Sequence, residues 1–200
     1  IQLTSHAKND KSASIILLTS QQTHTLLKKD LDKGEIFPLM QGQQILLFVG
    51  LGKVEKLSST ELRTFVRKAF LSDYLKKSPS IEIIPHAKEE AAVKAIIEGV
   101  SIGGYVWDKY KSKDKDDKSI KNKQVSIAVE QKPVYLQTLL ISAGVNLTRD
   151  LVNDNADLIT SDYLEKIIKG LIKGRKNIKI EVLNEKELRT HGLNLHLAVN

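Results

Sequence analysis

The sequence predicts an α/β fold, and three observations carry that reading. Compact apolar runs of strand length occur at SIILL (14–18) and QILLFVGL (44–51), with shorter ones at IEIIP (81–85) and VSIAV (125–129). Segments with helical apolar spacing lie between them. The runs are continuously apolar rather than alternating, which suits strands covered on both faces, as in a sheet between helices.

The helices follow in order. SSTELRTFVRKAF (58–70) opens on Ser58 with Glu61 three residues on, a capping-box pattern. Leu57 and Leu62 flank the cap as a hydrophobic staple, and Leu62, Phe65, Val66, Ala69 and Phe70 keep helical spacing. A second helix is expected from Glu89 to about Asp108, with Val93, Ile96, Ile97 and Val100 on or near one face. Its Gly99, Gly103 and Gly104 each weaken a helix by roughly 1 kcal/mol relative to Ala, so close packing against a neighbour is expected there, with a binding role as the alternative. A third helix is expected from about Val134 to Val152, with Leu136, Leu140, Ala143, Leu147 and Leu151 as its stripe. The charged run KSKDKDDKSIKNK (111–123) has almost nothing to bury and reads as a mobile surface loop.

The third helix stops against five polar or small residues, and a helix start follows at once. Thr160 is placed as an N-cap with Asp162 in the first turn, where the helix dipole favours an acid. Ile159 and Leu164 form a second staple, and Lys169, Lys173 and Gly174 suit the far end. A strand NIKIEVL (177–183), a short helix from Glu185 to about His191, and a last apolar strand LNLHLAV (193–199) complete the expected order. The break is expected to mark a domain boundary, with a second α/β unit only begun.

The bulk numbers exclude several classes. With 41% hydrophobic and 28% charged residues the composition is that of an ordinary globular protein. No cysteine is present, so disulfides and thiolate metal sites are excluded. The longest apolar run is ILLFVGL (45–51), far too short to cross a bilayer, and the first thirteen residues carry no signal-like apolar region. A cytoplasmic location and no membrane partner are expected. Net charge is +7, but lysines are spread among acids and only 5% of residues are aromatic, which favours a solvated surface over a nucleic-acid footprint.

Three places invite chemistry. VGLGK (49–53) ends a strand, where α/β folds place ligand loops, but it lacks the third glycine of a dinucleotide fingerprint and is no Walker A loop. A plain turn accounts for it better than a phosphate or nucleotide-sugar contact. Asn153, Asp154, Asn155 and Asp157 resemble a calcium loop only superficially, because the glycine and the final bidentate acid are missing. Turn chemistry accounts for them better. His6, His24, His86, His191 and His196 form no paired-helix ligand motif, and His196 reads as a strand residue.

Four blocks together resemble the leucyl (cytosol) aminopeptidase family: GLGKVEKLSSTELR (50–63), EGVSIGGYVWDKYKSK (98–113), NLTRDLVNDNADLITSDYLEK (146–166) and IKIEVLNEKELRTHGLNLHLAV (178–199). They stand in family order. The resemblance implies a macro-domain-like mixed sheet flanked by helices at 1–131, a linking helix at 132–153, and the start of a truncated catalytic domain at 154–200. It implies that the full-length protein is a homo-hexamer that releases amino-terminal residues from peptides. Two divalent cations, zinc or manganese, would polarise the scissile carbonyl, activate a bridging water and hold the free amino group. The family's Asp-Thr-Gly-Gly and Asp-Ala-Glu-Gly-Arg runs do not occur here, so no catalytic, cofactor-binding or metal residue is carried over. The 200-residue chain is therefore expected to be inactive and metal-free, a structural and assembly module. Weak electrostatic DNA binding and nucleotide or ADP-ribose binding at VGLGK are the rival roles.

Overall fold

A computed structural model describes residues 2–4, 13–20, 22, 24–27, 29–112, 123–130 and 133–198. Residues 113–122, the body of the charged run expected to be mobile, lie outside that set. So does His6. The chain divides into two compact units, Ile1–Asp150 and Leu151–Asn200.

The first unit is built on a six-stranded mixed sheet. Its strands are β1 (Gln2–Thr4), β2 (Ala13–Thr19), β3 (Ile36–Gln41), β4 (Gln44–Gly52), β5 (Ser80–Ile84) and β6 (Gln124–Ile127). They lie in the order β1-β6-β5-β2-β4-β3. Every pairing is parallel except β3 with β4. The pleat sorts the strands' side chains onto two faces. Ala13, Ile15, Leu17, Leu47, Val49, Leu51, Ile81 and Ile83 join one buried cluster, and Ile16, Leu46 and Phe48 form a smaller one.

Two strands were not expected from sequence. One is β1; the other is β3, which holds Pro38. A proline cannot donate to a ladder, and β3 tolerates it because it lies at the sheet edge. Its hairpin to β4 turns on Gly42, at φ +61°.

Helix α1 (Ser59–Phe70) starts as the sequence predicts. The Ser58 hydroxyl accepts from the Glu61 N–H at 3.2 Å, and the Ser58 N–H donates to Glu61 Oε2 at 2.9 Å. Helix α2 (Glu90–Ser101) stops short of the expected Asp108. Leu62, Val66, Ala69 and Phe70 of α1 and Val93, Ile96, Ile97 and Val100 of α2 all enter the larger cluster. The expected close packing at the glycines is present. A Cβ on Gly99 would lie 2.9 Å from the Arg63 carbonyl oxygen, and one on Gly103 would lie 2.1 Å from the Gly99 carbonyl oxygen.

Helix α3 (Pro133–Asn153) begins on a proline, which suits the first helical position. Its expected apolar stripe does not face the core. Leu136 and Leu140 are 62% and 64% exposed, and Ala143 is exposed too. The buried face carries Tyr135, Thr138 and Ser142 instead. The two hydroxyls are satisfied within the helix: Thr138 Oγ1 donates to the Val134 carbonyl and Ser142 Oγ to the Thr138 carbonyl. Small hydroxyl residues can therefore be buried without unpaired donors, and the larger residues point outward.

The second unit holds α4 (Ser161–Ile172), α5 (Glu185–Thr190) and α6 (Asn194–Ala198). The strand expected at 177–183 is not formed, and Asn194–Ala198, within the last strand expected at 193–199, is the helix α6. A strand exists only through a partner's hydrogen bonds. Residues 177–183 have no ladder partner among the described residues, while LNLHLA satisfies its backbone locally as a helical turn.

Two predictions follow from the packing of the first unit. Gly99→Ala pushes a methyl group against backbone and is expected to destabilise by about 1–3 kcal/mol. Gly144→Ala, with nothing within 4 Å of the new carbon, is expected to stabilise by about 0.5–1 kcal/mol. Urea unfolding followed by circular dichroism reads both, and equal effects would contradict the packing. The second concerns acid. Hydrogen bonds from Lys33, the Ser58 N–H and the Ser58 hydroxyl hold the Glu61 carboxyl at about 2, below its ordinary 4.5. The stability that Glu61 adds is therefore present above pH 4.5 and lost as pH falls through about 2. In Glu61→Gln that part of the pH dependence disappears from an acid-unfolding series.

Candidate functional site

The VGLGK segment is held by close backbone approach. The Gly50 N–H donates to the Glu35 carbonyl at 2.9 Å, and its own carbonyl accepts from the Gly34 N–H at 2.7 Å. A Cβ on Gly50 would stand 2.2 Å from the Asp32 carbonyl oxygen. Gly52 sits at φ +72° and accepts from the Ser20 N–H at 2.9 Å. Gly50 thus lets residues 31–35 cross the end of β4, and its N–H is not free to cradle a phosphate.

A cavity of about 520 Å³ opens beside it, at the carboxyl end of β2. Thr19, Ser20, Gln22, His24, Lys29 and Asp30 contribute to its lining. This is where open α/β sheets place ligands. Much of its polar lining is already engaged. Gln22 accepts from the Thr19 N–H at 3.1 Å and donates to the His86 carbonyl at 3.0 Å. His24 Nδ1 accepts from the Leu26 N–H at 3.2 Å, and its ring meets Phe48 edge-on at 4.9 Å. Lys29 pairs with Glu35 and lies over the Phe37 ring.

Among the described residues the histidines join no group that could hold a metal ion. His86 is half-buried after β5, and burial pushes its imidazole below the usual range. His191 caps α5 and His196 lies in α6. The polar break behaves as a turn. Asp154 Oδ1 accepts from the Asn155 N–H at 2.9 Å, and Asn155 Oδ1 from the Asp157 N–H at 3.0 Å. Thr160 Oγ1 then caps α4 through the Tyr163 N–H at 3.3 Å. Among the described residues no group of three or more His, Asp or Glu gathers, so these residues do not fit a two-metal centre.

One buried cation was missed from sequence. Lys123, 4% exposed, donates to the carbonyls of Leu75, Lys76 and Ser78 at 2.5, 3.0 and 2.6 Å. Burial lowers its pKa. Its three donors tie the residue before β6 to the turn after α1, a structural duty. The lysine-rich context hid it, because nothing in a run of charges singles out the one that is buried.

This domain has the fold of aminopeptidase-type structures. A solved tomato leucine aminopeptidase mutant superposes on 95% of the chain and 46% of its own length, with TM-score 0.70 and 16% identity. The bottromycin maturation enzyme BotP superposes on 90% of the chain and 41% of its own length, with TM-score 0.74 and 18% identity. Sequence takes the assignment further. The profile of the cytosol aminopeptidase family, N-terminal domain, matches residues 7–114. A probable cytosol aminopeptidase of Protochlamydia amoebophila is 33% identical over 99% of the chain and 46% of its own length. The cytosol aminopeptidase of Pseudomonas aeruginosa is 30% identical over 81% of the chain and 34% of its own length. The chain belongs to the cytosol aminopeptidase family, and it spans less than half the length of these relatives.

The turn reading of the junction has a direct check. Thr160→Ala removes the N-cap of α4 and is expected to cost about 1 kcal/mol locally. Amide exchange at the first turn of α4 should quicken by several-fold. Unchanged exchange there would mean that the cap does not hold the helix start.

Proposed function

We propose that this chain is the amino-terminal portion of a leucyl-aminopeptidase-like exopeptidase, a cytosolic enzyme that releases amino-terminal residues from peptides. The family match over residues 7–114 carries the reading. The relatives' own names supply the activity and the location. The enzyme would use two divalent cations, zinc or manganese, to polarise the scissile carbonyl. A solved BotP structure in complex with Mn supports manganese.

Within that enzyme, residues 1–131 form a scaffold domain, 132–153 a linking helix, and 154–200 the beginning of the catalytic domain. The chain alone is a structural and assembly module without activity. The outward apolar face of α3, with Leu136, Leu140, Ile141 and Val145, supports an assembly role, and a homo-hexamer is the proposed state of the whole protein. No helix of the described residues is long and apolar enough to cross a membrane.

The purified 200-residue chain is expected to leave a leucine chromogenic amide intact with added manganese or zinc. A protein extended through the remaining length of its relatives is expected to turn it over. Metal-dependent turnover by the 200-residue chain would overturn the scaffold reading. An inactive extended protein with both metals supplied would overturn the peptidase reading.

A further inference from the structure

The first unit has a second cavity, unrelated to the ends of the strands. It is a groove of about 370 Å³ between α1, the end of α2 and the later part of α3. Arg63, Arg67 and Arg149 line it, with Glu98 as its one acid. Asp150 stands behind this wall, its Oδ1 accepting from the Tyr105 hydroxyl at 2.9 Å, so three arginines face two acids in a concave site, where a field is focused rather than dissipated into water.

Each guanidinium is positioned differently. Arg149 Nη1 donates to the Ile102 carbonyl at 2.8 Å, and its guanidinium lies 5.3 Å above the Tyr105 ring centre. Arg63 Nε stands 3.1 Å from Glu98 Oε2; it is buried and makes no aligned hydrogen bond. Arg67 lays its stem against Gly103, where a Cβ would come within 2.7 Å of Arg67 Cγ. It has no carboxylate at ion-pair distance among the described residues. Thr60 and Thr64 complete the wall beside it.

We propose that this groove binds a compact oxyanion, the phosphate or carboxylate head of a small molecule. Arginine presents a planar fork of donors that matches both heads in bidentate fashion. Arg149 and Arg63 are oriented by the protein, which reduces the ordering cost of binding. Arg67 supplies the uncommitted charge. The volume suits a small ligand and its lining lies within the first unit, so the site does not depend on the peptidase reading.

The test is a titration of the 200-residue chain with inorganic phosphate and, separately, with citrate, followed by amide chemical shifts. Saturable shifts are expected at Thr64, Gly103 and Tyr105 with at least one anion, and the two arms tell a phosphate head from a carboxylate one. Arg67→Gln, at an exposed position, is expected to weaken binding at least tenfold. Arg67→Lys keeps the charge without the fork and is expected to fall between, and it stands in should the glutamine variant misfold. No saturable shift with either anion, shifts confined to other residues, or equal affinity in Arg67→Gln would overturn the proposal. So would Arg67-dependent binding of a duplex oligonucleotide by a chain that takes up neither small anion.

Discussion

The approach of α2 to α1 is the constraint on which much of the first unit depends. Gly99 in α2 and Gly103 just beyond its end bring this stretch of backbone so near α1 that a methyl group would touch the Arg63 carbonyl, Val66 and the Arg67 stem. Backbone contact sets the separation of the helices, so Val66 and Phe70 can seal the sheet face from one side while Val93 and Ile97 do so from the other. The same approach fixes where α2 ends. The last carbonyls of a helix have no partner of their own. Here Asn146 Nδ2 donates to the Ser101 carbonyl at 2.9 Å and Arg149 to that of Ile102. One face of α3 thus caps α2 from outside, with a cation where the helix dipole favours one.

Much of this was legible in the sequence, and the remainder has identifiable physical causes. Local interactions were read correctly: the Ser58–Glu61 box, the Thr160 cap, and the central strands β2 and β4, each a short apolar run. Glycines in α2 announced close packing because their cost required some compensation. What failed depended on partners remote in sequence. IFPLMQ reads poorly as a strand because of Pro38, and only its place at the edge makes it one. NIKIEVL has the pattern of a strand but no ladder partner among the described residues. The α3 stripe failed for a different reason. Periodicity finds an apolar face but does not say which way it points, and Thr138 and Ser142 satisfy themselves well enough to take the buried side. The candidate sites showed the same division. The turn at Asn153–Asp157 was legible because its bonds are local. The arginine groove was not, since Arg63, Arg67 and Arg149 are brought together only by the fold.

The outward face of α3 and the second unit raise a shared question of cover. No described residue after Ser142 is buried, although α4 carries Leu164, Ile167, Ile168 and Leu171 along its length. Apolar helix faces in water forgo roughly 25 cal/mol for each Å² they could bury. Leu136, Leu140 and Ile141, each more than half exposed, forgo it on α3 as well. Helices so arranged are ordinarily elements of a larger assembly or domain. That agrees with relatives more than twice as long as the chain.

Several acids of the first unit are tied into its packing. A two-metal centre needs several carboxylates that converge and keep lone pairs open. Here three of the carboxylates are already committed. Glu61 is held by Lys33 and the α1 cap, Glu35 by Lys29 and the Asp32 N–H, and Glu98 by Arg63. Releasing any of them would weaken the interaction that places its own segment: the start of α1, the crossing beneath Gly50, or the α1–α2 contact. These three carboxylates act as fasteners, whereas Arg67 has no carboxylate at ion-pair distance among the described residues. The groove proposed above draws on that surplus, and it lies where α1, the end of α2 and α3 meet rather than at the ends of the strands.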